Sequence, residues 1–424
     1  MRWLHRIVAI GLTALAALFL GAALPAYAEG ETVSGTLSVT QSGKAVEGVK
    51  ITVTSKADGK EVATVESDAD GRFSAPLPGP GVYTVKIDKD SLPDKIVLDE
   101  GQPESRDVTV AAGQRAAALF NLSDGSKVTE PQQDIVWAQR VAEGLRYGLI
   151  IAITAIGLSL IFGTTGLTNF AHGEMVTVGA FAAWWVNTGL GTPLWLSTIF
   201  AVIVGIVLGI LNELVIWRPL RKRRSGLIAM LVVSIGLGLA MRYILLLVVK
   251  GDRQFYDTPV QTVVDLGPIS ITPRDLQAMG LCLVVLVGVA VMLQFTKIGK
   301  AMRAVADNRD LAASSGINVN RVILVVWMLG GGLAAFGGVM YGWTLNLRFD
   351  MGFTLLLLMF AGVTLGGLGT AYGALLGSLV IGVIVQLSTM VIPDDIKTVS
   401  GLLVLILILL VRPSGLLGAR QRIG

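Results

Sequence analysis

Between Gly144 and Val411 the chain is a succession of apolar runs separated by short polar loops. A bilayer core about 30 Å thick takes roughly 20 apolar residues per helix, and this stretch supplies that length repeatedly. Segments fall at about 145–162, 167–186, 194–217, 227–249, 276–295, 322–345, 353–368, 372–392 and 396–411. Polar residues and glycines interrupt the second, and the seventh is short, so eight or nine crossings are expected. The composition agrees, with 53% hydrophobic and 15% charged residues, far from a soluble, surface-rich domain.

A formal charge of +4 raises the question of nucleic acid. The basic residues lie in loops between apolar runs, however, so they report membrane orientation and nucleic-acid binding is not expected. Cys282 is the sole cysteine and sits inside an apolar run, which excludes an intrachain disulfide. No metal site is expected.

The amino terminus reads as a signal peptide over residues 1–28. Arg2 and Arg6 precede the apolar stretch 7–24, and Ala26-Tyr27-Ala28 fits a cleavage site. An uncleaved anchor helix is the alternative, and either way the next segment starts outside.

Residues 29–110 are rich in Val, Thr, Ser, Asp, Gly and Lys, with apolar residues at every second position. Strands are expected around 34–39, 49–53, 62–65, 71–74 and 83–87, with Asp58-Gly59 and Asp70-Gly71 as turns. This predicts a small all-β extracytoplasmic sandwich. Asp68 and Asp70 have the chemistry of a calcium site, but an Asp-Gly turn needs no ion. A linker over 111–139 leads to a transmembrane domain over 140–420.

Charge tests the threading. If the sandwich is outside, the cluster at Arg218, Arg221, Lys222, Arg223 and Arg224 falls inside. So do Lys297, Lys300, Arg303, Arg309 and Arg321, whereas the aspartate-bearing loop 250–275 falls outside. The positive-inside rule then puts the carboxyl end in the cytoplasm of a polytopic all-α membrane protein.

Three features stand out within the spans. Gly166-Leu167-Thr168-Asn169-Phe170-Ala171-His172-Gly173-Glu174 sets polar groups between glycines. It reads either as a capping and packing turn at the interface or as a broken helix bordering a solute path. Asn169 suits a zwitterion best, because it hydrogen-bonds without net charge; His172 and Glu174 are further path candidates, Glu174 near the cytoplasmic edge. The stretch 362–370, with four glycines in its first eight residues, reads equally as re-entry or as close packing, and adds Thr364 and Thr370 to the path candidates. Arg242, inside an apolar run, either snorkels outward or faces the path and attracts a carboxylate.

The loop 297–308 differs in kind. Ile298, Met302 and Val305 share one face of a helix, and Lys300, Arg303 and Asp307 supply the rest. An outward apolar stripe would insert into a groove on another protein; a helix lying on the lipid interface is the alternative. No Gly-x-x-x-x-Gly-Lys-Ser/Thr loop exists to cradle phosphates, so the chain is not itself an ATPase. A membrane enzyme would have to use His172 without a convincing partner set.

The 166–174 block, Gly299-Lys300-Ala301-Met302-Arg303-Ala304 with the run 308–317, the run 360–369 and Arg412-Pro413-Ser414-Gly415-Leu416-Leu417-Gly418 occur in the order of, and resemble, the permease subunits of ABC importers for branched-chain amino acids. The stretches 48–53, 67–73 and 80–85 resemble the carboxypeptidase regulatory-like, or transthyretin-like, sandwich. The first resemblance implies a multi-pass plasma-membrane subunit that is not an enzyme and binds no cofactor. Two permease subunits, identical or homologous, form the path. Two cytoplasmic ATPases carry ATP and magnesium, and an extracytoplasmic binding protein delivers the amino acid. It makes 297–317 the region coupled to the ATPase, with Lys300, Met302, Arg303, Asp307, Arg309 and Gly316 as candidates. Urea or short amides are the alternative solutes, and a gradient-driven carrier the alternative mechanism. The sandwich departs from the permease pattern.

Overall fold

Alternating burial organises the amino-terminal part of the computed structural model, which describes residues 31–39, 45–93, 95–98, 103–110, 115–118, 120–123, 133–249, 251, 253–258, 263–411 and 415. The expected signal segment 1–28 lies outside these residues, as does most of the 412–418 block. Contacts divide the chain into a unit within Leu12–Gln132 and a helical unit built from Gln133–Pro259 and Leu266–Gly424.

The first unit is a sandwich. Its strands are β1 (Thr32–Val39), β2 (Lys50–Ser55), β3 (Glu61–Glu66), β4 (Arg72–Pro76), β5 (Gly81–Ile87), β6 (Val97–Leu98), β7 (Ser105–Val110), β8 (Arg115–Ala117) and β9 (Phe120–Ser123). One sheet runs β4-β1-β9-β6, with β8 also on β1, and the other runs β3-β2-β5-β7. Val33, Leu37, Ile51, Val53, Phe73, Val85 and Ile87 point inward at period two and close the core. Strands β8 and β9 fall within 111–139, where a linker was expected, and both pair with β1 in parallel. Such pairing joins distant segments, so local alternation does not announce it. The Asp68 carboxylate accepts backbone N–H bonds from Asp70 (3.0 Å) and Arg72 (2.7 Å), and Gly71 follows at φ +71°. These bonds occupy it as the organiser of a turn.

The second unit contains α1 (Gln133–Thr165), α2 (His172–Gly189), α3 (Leu194–Leu211), α4 (Arg218–Lys222), α5 (Leu227–Val249), α6 (Pro273–Phe295), α7 (Lys297–Asp307), α8 (Arg309–Ser314), α9 (Val319–Thr344), α10 (Met351–Gly366), α11 (Ala371–Ser388) and α12 (Thr398–Val411). Among the described residues six helices are long and apolar enough to cross a membrane, and α10 and α12 are shorter apolar helices. With the interrupted segment 166–189 this is the expected polytopic architecture of eight or nine segments. Helices α1 and α9 are enclosed by the others, while α5 and α6 turn most of their surface outward.

Small residues let these helices touch. Lipid offers no hydrophobic drive between helices, so association depends on close van der Waals packing. In the α10–α11 hairpin, a Cβ on Gly366 would collide with the backbone of Gly373, and one on Gly377 with the carbonyl of Gly362. Gly367, at φ +110°, ends α10 in a conformation closed to other residues. Here the run 362–370 forms a tight helical hairpin.

Candidate functional site

Helix α1 stops where Gly166 takes φ +68°, and the chain runs without helix to Ala171 before α2 begins at His172. Backbone groups freed by this break need partners, because the surroundings are apolar. The Asn169 carboxamide oxygen accepts the Ala171 N–H (3.1 Å). From α5, the Ser234 hydroxyl accepts the Phe170 N–H (3.3 Å) and donates to its own helix at Leu231 (2.7 Å). His172 sets Nε2 3.1 Å from the Thr154 carbonyl of α1, and the Phe170 and Phe360 rings meet at 5.0 Å.

Next to this turn, Glu174 accepts two bonds from Arg242, from Nε (3.0 Å) and Nη2 (2.8 Å), and the guanidinium lies 4.1 Å from the centre of the Phe353 ring. Glu174 is 1% exposed. The carboxylate that Arg242 attracts is therefore this chain's own, and the arginine does not snorkel. Phe353 opens α10, whose far end leads to Gly369 beside α7. Glu174 thus lies toward the end remote from 297–316, not near that edge as expected, because the extended break carries the chain back along α5 from Ser234 to Arg242.

The stretch after α6 is built by successive caps. Thr296 Oγ1 accepts the Gly299 N–H (3.0 Å), Asn308 Oδ1 the Leu311 N–H (2.9 Å) and Asn318 Oδ1 the Arg321 N–H (3.0 Å). Gly316 makes the intervening turn at φ +83°. Met302 and Val305 are buried, whereas Ile298, Lys300, Arg303, Asp307, Arg309 and Leu311 are exposed. Of the apolar stripe expected to face outward, Met302 and Val305 are turned inward and Ile298 stays exposed. Burying the two against the bundle removes them from water and leaves charge on the outer face.

A cleft of about 260 Å³ separates this connection from the ends of α1 and α11, lined by Thr164, Gln294, Met302, Arg303, Asp307 and Thr370 among others. Arg303 reaches Gln294 at 3.3 Å. Thr370 donates to Gly367 O (2.9 Å), and its own carbonyl accepts the Ser159 hydroxyl (3.1 Å). The sequence-derived candidates thus separate. Asn169, His172 and Glu174 share one buried turn; Thr370 joins Met302, Arg303 and Asp307 at the cleft; Thr364 is buried within α10; Lys300, Arg309 and Gly316 lie on the exposed connection. Among the described residues no group of three or more His, Cys, Asp or Glu is placed to hold a metal ion.

A further cluster, whose pairing the sequence does not announce, sits at the end of α3. Residues Asn212–Trp217 form a π-helical turn, in which the Arg218 N–H bonds the Glu213 carbonyl. Pro219 explains it: the ring lacks an N–H and excludes the carbonyl four residues back, so the preceding turn widens. Glu213, 1% exposed, accepts from Arg221, and Trp217 stacks on Trp327 of α9 at 5.9 Å and 16°. A proline in the basic run that follows the apolar helix was the available signal.

A family model described as the branched-chain amino acid transport system / permease component matches residues 140–411, and one described as the carboxypeptidase regulatory-like domain matches 32–123. The chain is similar to the high-affinity branched-chain amino acid transport system permease protein LivH of Salmonella typhimurium, at 29% identity over 68% of this chain and 97% of that protein. It is similar also to BraD, the corresponding permease protein of Pseudomonas aeruginosa, at 29% identity over 66% of this chain and 96% of that protein. Among solved structures, PsaBC from Streptococcus pneumoniae in complex with Fab aligns over 64% of this chain and 91% of that one, with a TM-score of 0.39 and 11% identity.

Proposed function

Because the chain belongs to the permease component family of branched-chain amino acid transport systems, carrying an added carboxypeptidase regulatory-like domain, we propose that it is the membrane subunit of an ATP-driven importer of branched-chain, hydrophobic amino acids. The observation that carries this reading is that the permease match covers the helical unit almost end to end. In the proposed complex the chain pairs with a second permease subunit, two cytoplasmic ATPases hydrolyse ATP with magnesium, and an external binding protein delivers the solute. The sandwich and the loops remote from 297–316 face outward; the connection 297–316 and the carboxyl end face the cytoplasm.

Charge supports this orientation. Arg218, Arg221, Lys222, Arg303 and Arg309 all belong to the end that carries α4, α7 and α8, where the positive-inside rule requires them. The two deep carboxylates speak against a gradient-driven carrier. A proton- or ion-coupled mechanism needs a buried group free to change charge, and Glu174 and Glu213 are each bound to an arginine of this chain.

The burial of Asn169, His172, Glu174 and Thr364 favours a supporting role: they hold the broken segment in shape behind the path. Thr370, at the cleft, stays a path candidate. Lys300, Arg303, Asp307, Arg309 and Gly316 form the outer face offered to the ATPase, which Met302 anchors from below. The test is reconstitution of the chain with its copurified partners in proteoliposomes, offering leucine, isoleucine, valine and urea in turn. ATP-dependent accumulation of the three amino acids is the expected result; accumulation of urea alone, or uptake without ATP, overturns the reading.

A further inference from the structure

Helices α3 and α6 both rest on α9, and between them lies a furrow of about 360 Å³. Val202 and Ile206 form its α3 wall, Val285 and Val289 its α6 wall, and α9 its floor from Val325 to Phe336. Every residue lining it is apolar or glycine. Ile203 and Val287, beside the two walls, are each 54% exposed, so the furrow opens toward the surroundings of the bundle. Water does not settle in a space without polar partners, and an empty one forfeits dispersion contacts along its whole lining. In a bilayer it is therefore filled by something apolar.

Its dimensions narrow the choice. Val325 to Phe336 covers about 16 Å of helix axis, close to one leaflet's half of a hydrocarbon core about 30 Å thick. A helix about 10 Å across would need roughly three times this volume over that length. A second copy of the chain can thus place side chains in the furrow, whereas a single hydrocarbon chain fills it lengthwise. Charge narrows it further. Arg321 precedes Val325 by one turn on the face of α9 that continues through Met328, Gly332 and Phe336. Arg321 is exposed, and among the described residues its side chain meets no carboxylate; only its backbone N–H is engaged, by Asn318. Lys297, exposed where α6 gives way to α7, follows the same end of the α6 wall. Glu213, beyond the α3 wall, is taken up by Arg221. An apolar furrow one leaflet long with a spare cation at its end matches a molecule of the same plan, a hydrocarbon tail with an anionic head.

We propose that the furrow binds a diacyl anionic phospholipid, with one tail on α9 between α3 and α6 and the phosphate paired with Arg321. The lipid belongs to the leaflet on the side of the 297–316 connection, which the importer reading makes cytoplasmic; nothing else in the proposal depends on that reading.

Native mass spectrometry of the full chain in detergent, with dioleoyl phosphatidylglycerol and dioleoyl phosphatidylcholine added in equal amounts, is the test. The parent is expected to retain one phosphatidylglycerol about fivefold more than phosphatidylcholine, the contribution of one basic residue beside an anionic lipid. Val289→Trp, which fills the furrow from its α6 wall, should lose both lipids. Arg321→Gln should bring the ratio close to one, and Arg321→Lys should keep the preference, since a phosphate accepts a point charge. Arg223→Gln, which removes a charge from the basic loop after α3, should match the parent. Equal retention of the two lipids by the parent, retention unchanged in Val289→Trp, a ratio unchanged in Arg321→Gln, or an equal fall in Arg223→Gln overturns the proposal. A dimer in place of bound lipid, lost in Val289→Trp, overturns it in favour of a second copy. If Val289→Trp does not fold, the variants at the exposed Arg321 decide alone. Uptake is not the readout, so the importer reading stands or falls by its own assay.

Discussion

The two buried carboxylates of the helical unit are held in different ways. Glu174 meets one guanidinium, Arg242, through two bonds, and that guanidinium is closed off by the face of Phe353. Glu213 bonds Arg221 at a widened helical turn, beside the basic run that follows it in sequence. The first arrangement fixes α2, α5 and α10 at one point. The second draws positive charge from a segment that ends in water. A buried ion pair is weak evidence for stability in itself, but one sealed inside the bundle suits a fixed joint.

The sharpest way to break this contrast is to remove one partner of the sealed pair. Arg242→Leu leaves Glu174 uncompensated in an apolar interior and should destabilise the chain by about 3–5 kcal/mol, seen as lower folded yield and a lower Tm in detergent. Adding Glu174→Gln removes the stranded charge and should restore most of that loss. Whatever protein folds should keep its solute affinity; a changed affinity at normal stability would give Arg242 a place in the path.

Next in size is a change on the exposed connection. Arg303 lines the cleft and reaches Gln294, and Met302 beside it anchors the helix. Arg303→Glu should lower uptake about tenfold while membrane abundance changes little. An abundance-normalised rate equal to the parent removes Arg303 from the coupling surface.

The smallest effect belongs to exposed pairs on the sandwich. Hydrogen bonds from Lys56 and then Thr84 hold the Asp107 carboxyl below its ordinary value of 3.8. A carboxylate with a depressed value in the folded state contributes stability above its unfolded value and loses it as pH falls through the folded one. Its contribution should therefore be intact at neutral pH and fade only below 3.8. Asp107→Asn should flatten that acid limb, measured by hydrogen exchange of β5 and β7 in the full chain. An unchanged acid profile removes the pair from the sandwich's stability, as screening of surface ion pairs commonly does.

Much of this was legible in sequence because its causes are local. Apolar run length announced the spans, alternation announced β1 to β5, and the Asp-Gly turn at 70–71 sits where it was read. The remainder depends on meetings between distant residues. Glu174 and Arg242 lie 68 residues apart, and β8 finds β1 across most of the sandwich. The stripe of Met302 and Val305 shows that periodicity identifies an apolar face without saying what covers it. The widened turn at Asn212–Trp217 had a local cause in Pro219, but its importance follows from the burial of Glu213 against Arg221.

Orientation underlies the importer reading, since only a cytoplasmic connection can receive an ATPase. In intact cells expressing Arg303→Cys on a Cys282→Ser background, a membrane-impermeant maleimide should leave position 303 unlabelled until the membrane is permeabilised. Labelling of 303 from outside sealed cells would contradict the threading and, with it, the import mechanism.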